Sequence, residues 1–246
     1  VGDAKTVLAR LARLVQPAER PEWLAQVRNW RASNPLVPNS RSSRLSARTV
    51  IRHVCRSADE QTVIVTGVGQ HQMFAAQEYA SPRLNGFLSS GGLGTMGFEL
   101  PAALGAQIAS PDDDVWVIAG DGGFQMTMQE LSTIVQEQLP VKIAVISNGY
   151  LGMVRQWQAL FQKHNYVDVA LHTPDFVKLA DAYGIPAVRV EREEDIASAV
   201  TRANAHPGPF LIDFVVDAEE NVYPMVAPGE SLDRMLLSPD VVAVPA

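Results

Sequence analysis

The 246-residue chain is 47% apolar and 19% charged, the balance of a globular protein with a packed core, long enough for one sizeable α/β domain with extra structure or for two small domains. Its net charge of −7, with the lysines and arginines scattered, excludes the basic patch of a nucleic-acid binder, and no run reaches the roughly 20 apolar residues that cross a membrane. The lone Cys55 excludes an internal disulfide and fits a reducing, cytoplasmic compartment of bacterial type, while the opening "VGDAKTVLARL" is neither a secretion signal nor an initiating Met and reads as a cut inside a longer chain.

Apolar residues at helical spacing predict helices over 4–15 (Val7, Leu8, Leu11, Leu14, Val15) and 21–32 (Trp23, Leu24, Val27, Trp30). The segment from Ser33 to Ser46, "SNPLVPNSRSSRLS", cannot bury a core and reads as a linker, so residues 1–45 are separated from a main domain spanning 46–246. From there strand-like and helix-like segments alternate. The expected strands are 62–69, 114–122, 141–148, 187–191 and 210–217, and the expected helices are 46–56, 70–79, 97–109, 125–138, 151–163, 174–183 and 193–205. Strands that are continuous apolar runs imply a mostly parallel sheet of about six strands, covered by helices on both faces in a three-layer α/β/α fold. Ligands of such sheets bind at the carboxyl ends of the strands.

Three of those ends share a chemistry: "TGVGQHQ", "IAGDGGF" and "ISNGYLG", with the glycine-rich "SSGGLGTMG" (89–97) preceding the second. Asp121 and Asn148 stand 27 residues apart, and a right-handed crossover between them returns the chain to the same sheet edge. Taken alone, Asp121 is a helix cap or turn residue and Asn148 a turn asparagine before Gly149. Together they are hard oxygen ligands suited to Mg²⁺, an ion that takes one or two protein carboxylates and completes its shell with phosphate and water. A helix start at 124–126 would offer N–H groups to that phosphate. The pattern predicts a Mg²⁺-bridged diphosphate.

Gly-Asp-Gly followed by Asn about 25 residues on is the diphosphate motif of thiamin-diphosphate enzymes. The stretch from "GDGGFQMTMQEL" to "NGYLGMVRQWQALF" resembles the acetohydroxyacid synthase (acetolactate synthase) large catalytic subunit, as do "TGVGQHQMFAAQEY", "SSGGLGTMGFELPAALGAQIA", "PDFVKLADAYG" and "NVYPMVAPG". The resemblance implies a thiamin-diphosphate-binding fold and the condensation of pyruvate with pyruvate or 2-ketobutyrate, with loss of CO₂, to 2-acetolactate or 2-aceto-2-hydroxybutyrate. It also implies metal ligation by Asp121, the Asn148 side chain and the Tyr150 carbonyl. Cofactor contacts are implied for Val68, Gly69, Gln70, His71, Gly94, Met96, Gly122, Gly123, Met126, Asn148, Gly152 and Met153, with Met96 wedging the cofactor into its bent form. Met153 and Trp157 would stand at the substrate mouth, although the stripe Met153, Trp157, Leu160, Phe161 also has the spacing of core packing.

The same resemblance implies FAD in the full-length enzyme, a homo-oligomer (dimer or tetramer) and a small regulatory subunit. It implies too that the activating glutamate lies in an N-terminal domain outside these residues, so that the 246 residues alone have no catalytic residue and no activity. Three positions depart from the family pattern: Ser147 for a first asparagine, Gly123 for a common serine, and Glu99 for a typical glycine. Two rival readings are another thiamin-diphosphate carboligase, oxidase or decarboxylase, and a nicotinamide-dependent dehydrogenase using "GLGTMG". The second is disfavoured by Pro101 in the would-be helix and by the lack of a convincing strand before the glycines. A non-catalytic module is a third, opposed by the intact Asp121 and Asn148.

Overall fold

The computed structural model describes residues 1–36, 43–238 and 241–242. The chain forms two compact units, Val1–Val37 and Pro38–Ala246, and the middle of the expected linker, residues 37–42, lies outside the described residues. In the first unit, α1 (Ala4–Leu14) is capped by the Asp3 carboxylate, which accepts the Thr6 N–H at 2.9 Å, and α2 (Pro21–Ser33) starts on a proline whose missing N–H costs nothing there. Trp23 and Trp30, one helical face apart, pack edge to face at 5.6 Å within α2.

The second unit begins with α3 (Ala47–Ser57), capped by Ser46, whose hydroxyl accepts the Thr49 N–H. Then follow β1 (Thr62–Thr66), α4 (Gln70–Glu78), β2 (Phe87–Ser89), α5 (Glu99–Ala109), β3 (Asp114–Gly120), α6 (Asp121–Thr127), α7 (Leu131–Gln136), β4 (Lys142–Ser147), α8 (Gly152–Phe161), α9 (Phe176–Ala182), β5 (Ala187–Val190), α10 (Glu193–Ala205) and β6 (Phe210–Val215). The six strands are parallel, in the order β2-β1-β3-β4-β6-β5. Short antiparallel strands β7 (Met225–Val226), β8 (Met235–Ser238) and β9 (Val241–Val242) follow.

Strand alternation sends Trp116 and Ile118 of β3 into a core under α3, α4 and α10, and Val115, Val117 and Ala119 into a second core under α5, α6, α7 and α9. Both faces are therefore covered, as the apolar runs require. Because β2 lies on one side of β1 and β3 on the other, the chain reverses direction at β1, and a crevice opens above the carboxyl ends of β1 and β3.

Three expectations need correction. A strand does precede the glycine-rich segment: β2, only three residues long and paired with β1, was hidden because its composition is too brief to show alternation. Pro101 does not interrupt α5 either, since it occupies the first turn, where an N–H has no partner inside the helix. The helix expected at 125–138 starts instead at Asp121, breaks into a 3-10 turn over Met128–Glu130 and resumes as α7. The break follows Thr127, which leaves helical geometry while its hydroxyl donates to the Gly97 carbonyl at 3.0 Å, a tertiary bond that outweighs local propensity.

Candidate functional site

The crevice holds a pocket open to solvent. Its walls come from the three strand ends: Val68 to His71 after β1, Gly120 to Gly123 after β3, and Asn148 with Tyr150 to Val154 after β4. Met96 closes one side, and Asp217 and Glu220, after β6, close another. The loops can approach closely because they are glycine-rich. Gly69 has φ of +149°, outside the range of ordinary side chains, and a Cβ on Gly152 would collide with Gln70 Oε1 and lie 2.7 Å from Asn148 Nδ2.

Asp121 opens α6 and is 2% exposed. Its Oδ1 accepts the Gly122 N–H at 2.9 Å, and its Oδ2 accepts the Gly149 N–H at 2.7 Å, a bond that ties the β3 and β4 strand ends together. Burial lifts its carboxyl to about 6; the N–H groups of Gly149 and Gly122 offset part of the rise, and the negative charge of Asp213 adds to it. Among the described residues no cation pairs with it. The Asn148 amide ties the β4 loop to the β1 loop, its oxygen accepting the Tyr150 N–H at 3.0 Å and its nitrogen donating to Gln70 Oε1 at 3.4 Å. Gln70 in turn donates to Gln156 Oε1 at 2.8 Å and to the Glu220 carbonyl at 3.1 Å, so hydrogen bonds join the β1 loop, α8 and the segment after β6.

These groups fit a divalent cation with a bound phosphate better than a metal held by protein alone. Among the described residues no cluster of three or more His, Cys, Asp or Glu side chains suits a metal, whereas one buried carboxylate, one amide and the glycine loops that line the pocket leave coordination places for phosphate oxygens. Helix α6 begins at Asp121, three residues earlier than the spacing implied, with Gly120 at its N-cap position; the Gly122 N–H is taken by the Asp121 carboxylate, and the Gly123 and Phe124 N–H groups belong to the same first turn, where an N–H has no partner inside the helix.

Behind the loops lie two buried polar side chains. The His71 ring is enclosed by glycines: a Cβ on Gly67 would lie 2.7 Å from its Nε2, one on Gly120 2.8 Å from its Cε1, and one on Gly69 3.1 Å from the same carbon. Burial lowers its pKa to about 4, so the ring is neutral. The Glu99 carboxyl faces Gly67 and Gly123, with Oε1 2.7 Å from a Cβ on either. Two departures from the family pattern thus meet in space: the acid at 99 occupies room that a side chain at 123 would need.

The structure brings Val68, Gly69, Gln70, His71, Met96, Asp121, Gly122, Gly123, Asn148, Tyr150, Gly152 and Met153 into one pocket. Gly94 stands outside it in an exposed turn, 4.0 Å by its would-be Cβ from Val68 Cγ1. Met126 is 54% exposed and packs its Cβ on Gly97, and Trp157 is 38% exposed beside Phe161, ring centroids 5.1 Å apart, so neither lines the pocket. The sequence reading missed Asp217 and Glu220, and it named Glu99 only as a departure from the family pattern, not as a buried acid behind the site. The signal for Glu99 was present, a single charge inside the apolar helix "ELPAALGAQIA".

A family profile described as thiamine pyrophosphate enzyme, C-terminal TPP binding domain, matches residues 67–214, the stretch that carries all three strand ends. The chain belongs to the thiamine pyrophosphate enzymes. It is 47% identical over 96% of its length to an acetolactate synthase of Mycobacterium bovis, 41% over 96% to the mitochondrial acetolactate synthase catalytic subunit of Saccharomyces cerevisiae, and 42% over 96% to the acetolactate synthase large subunit of Pyropia yezoensis. These alignments cover 40%, 35% and 41% of the relatives, so the chain spans about two fifths of the proteins it matches. The motif resemblance to acetolactate synthase large subunits therefore extends over nearly the whole chain. Among the described residues no helix is long and apolar enough to cross a membrane.

Proposed function

We propose that this chain forms the Mg²⁺-diphosphate half of a thiamin-diphosphate site in an acetolactate synthase, which condenses pyruvate with pyruvate or 2-ketobutyrate and releases CO₂. The observation that carries the reading is Asp121: a buried carboxylate with backbone donors and, among the described residues, no cation, hydrogen-bonded to the Asn148–Tyr150 loop at the switch point of the sheet. Asp121, the Asn148 amide oxygen and the Tyr150 carbonyl would hold Mg²⁺, and the backbone of Gly69, Gly122 and Gly123 with Gln70 and His71 would hold the diphosphate. Val68, Gly94, Met96 and Met126 would flank the rings, and Gly152 and Met153 would border the reacting end. When bound, thiamin diphosphate supplies the carbanion chemistry of decarboxylation and carboligation.

Each side chain then has a bounded task. The Asp121–Gly149 bond holds the two metal-binding loops at fixed separation, Gln70 locks them to α8 through Gln156, and Met96, whose Cε approaches a Cβ placed on Gly122 to 3.5 Å, shapes the ring wall. Met153 packs on the core, while the exposed Trp157 one turn on gives a flat apolar surface for a larger second keto acid. The same reading implies FAD, a homodimer or tetramer with a small regulatory subunit, a cytoplasmic setting, and no turnover by residues 1–246 alone. The test is an assay of the full-length protein with pyruvate, with and without 2-ketobutyrate, in the presence of thiamin diphosphate, Mg²⁺ and FAD. An acetohydroxy acid product is expected; none from a folded, cofactor-loaded protein would refute the reaction.

A further inference from the structure

A side-chain amide fits its space either way round, and only its partners decide which end is the oxygen. Gln156, on α8, is wholly buried, and both ends of its amide meet the backbone of Val222. Its Oε1 accepts the Val222 N–H at 2.8 Å, while its Nε2 donates to the Val222 carbonyl at 3.0 Å and to Met225 Sδ at 3.1 Å. A backbone N–H only donates and a carbonyl only accepts, so the Gln156 amide has one permitted orientation.

That orientation passes from amide to amide toward the pocket. Gln156 Oε1 also faces Gln70, which must present its NH₂ end there, at 2.8 Å, and the Glu220 carbonyl, 3.1 Å from the same nitrogen, demands the same. Reversing Gln70 would set oxygen against oxygen at both contacts. Its Oε1 is thereby turned to Asn148, which answers with Nδ2 at 3.4 Å. From the other side the Tyr150 N–H, again a pure donor, takes Asn148 Oδ1 at 3.0 Å. An amide oxygen has two lone pairs, and among the described residues the Tyr150 N–H occupies just one of them. Gly152 makes room for the last link, since a Cβ there would lie 2.7 Å from Asn148 Nδ2.

An amide oxygen can ligate Mg²⁺, whereas the NH₂ end offers only protons. We propose that Gln156 is a positioning residue for the metal: acting through Gln70, it sets the Asn148 amide with its oxygen, not its nitrogen, available to the cation before the cation arrives. The inference rests on the reading of Asn148 as a Mg²⁺ ligand. Gln156 is not among the residues that line the pocket, so its effect on the metal runs through Gln70.

A double-mutant cycle in the full-length protein tests this, reading by calorimetry the Mg²⁺ concentration that half-saturates thiamin-diphosphate binding. The four proteins are wild type, Gln156→Leu, Asn148→Asp and the double variant. In the wild-type background Gln156→Leu is expected to raise the half-saturating Mg²⁺ about tenfold or more, as loss of a group that orients a ligand does. A carboxylate has oxygen at both ends and needs no orienting, and it opposes Gln70 Oε1 for as long as Gln156 holds Gln70 in place. In the Asn148→Asp background Gln156→Leu is therefore expected to leave the value within about twofold or to lower it. A merely structural Gln156 predicts the same factor in both backgrounds, and equal factors, or no change in the first, would overturn the inference. Should a variant fail to fold or to bind, neutron diffraction from metal-free wild-type crystals decides. Deuterons on Gln156 Nε2, Gln70 Nε2 and Asn148 Nδ2 support it, and reversal of any of the three amides overturns it. Wild-type binding indifferent to Mg²⁺ overturns the metal reading and this inference together; Mg²⁺-dependent binding with equal factors overturns this inference alone.

Discussion

Two aspartates, Asp121 after β3 and Asp213 in β6, are buried to the same degree at the same region of the sheet, each 2% exposed, yet they solve burial in opposite ways. Asp213 is answered from within: Ser147 donates to Oδ1 at 2.6 Å and the Arg189 guanidinium to Oδ2 at 2.9 Å. Asp121 receives, among the described residues, only backbone N–H groups, and burial lifts its carboxyl from 3.8 to about 6. A carboxylate that brings its own cation is architecture. One kept in the same dry setting without a cation is arranged for a charge that comes from outside.

The largest effect that distinguishes the two is on binding. Asp121→Ala is expected to weaken Mg²⁺-dependent thiamin-diphosphate binding by about 100-fold or more, since loss of a direct ligand exceeds the 10- to 100-fold typical of groups behind a ligand. Asp213→Ala changes the same titration by no more than a few-fold if its role is structural. The next contrast is in stability, and its sign reverses between the sites. Removing the Asp213 charge by Asp213→Asn leaves the Arg189 guanidinium, itself 39% exposed, without its buried partner and lowers stability by about 1–2 kcal/mol, measured by denaturant unfolding.

Asp121→Asn does the reverse in the absence of Mg²⁺ at pH 7. Because the folded carboxyl is raised above its unfolded value, its contribution is present below about pH 4 and lost as the pH climbs through about 6, so the neutral amide recovers about 1–3 kcal/mol. Melting curves from about pH 4 to about pH 7 should show a decline in metal-free wild type that is shallower in Asp121→Asn, and Mg²⁺ with cofactor should stabilise only the wild type. The smallest effect is at Trp157, whose half-exposed ring packs on Phe161: Trp157→Leu should change stability by about 0.5 kcal/mol or less while lowering the ratio of 2-aceto-2-hydroxybutyrate to 2-acetolactate in competition assays.

The same contrast marks how far the sequence could be read. The apolar runs of β1, β3, β4 and β6 exposed the parallel sheet, and glycine at three successive strand ends located the crevice, because backbone requirements leave a strong local trace. Strand β2 left none, being three residues long at a sheet edge, and the break after Thr127 depends on Gly97, thirty residues away in sequence. The pairings Asp121 with Gly149, Gln70 with Gln156 and Glu99 beside His71 and Gly67 are tertiary. A sequence can announce that Glu99 is out of place in an apolar helix, but only the fold shows which glycines made room for it.

The central claim is that the crevice above β1, β3 and β4 takes a diphosphate through Mg²⁺ held by Asp121. It is tested most directly by calorimetric titration of thiamin diphosphate into the full-length wild-type protein, with Mg²⁺ and again with the metal chelated. Saturable one-to-one binding in Mg²⁺ that disappears in chelator is the expected result. Binding of equal strength with and without the metal, or no binding in either, would contradict the account.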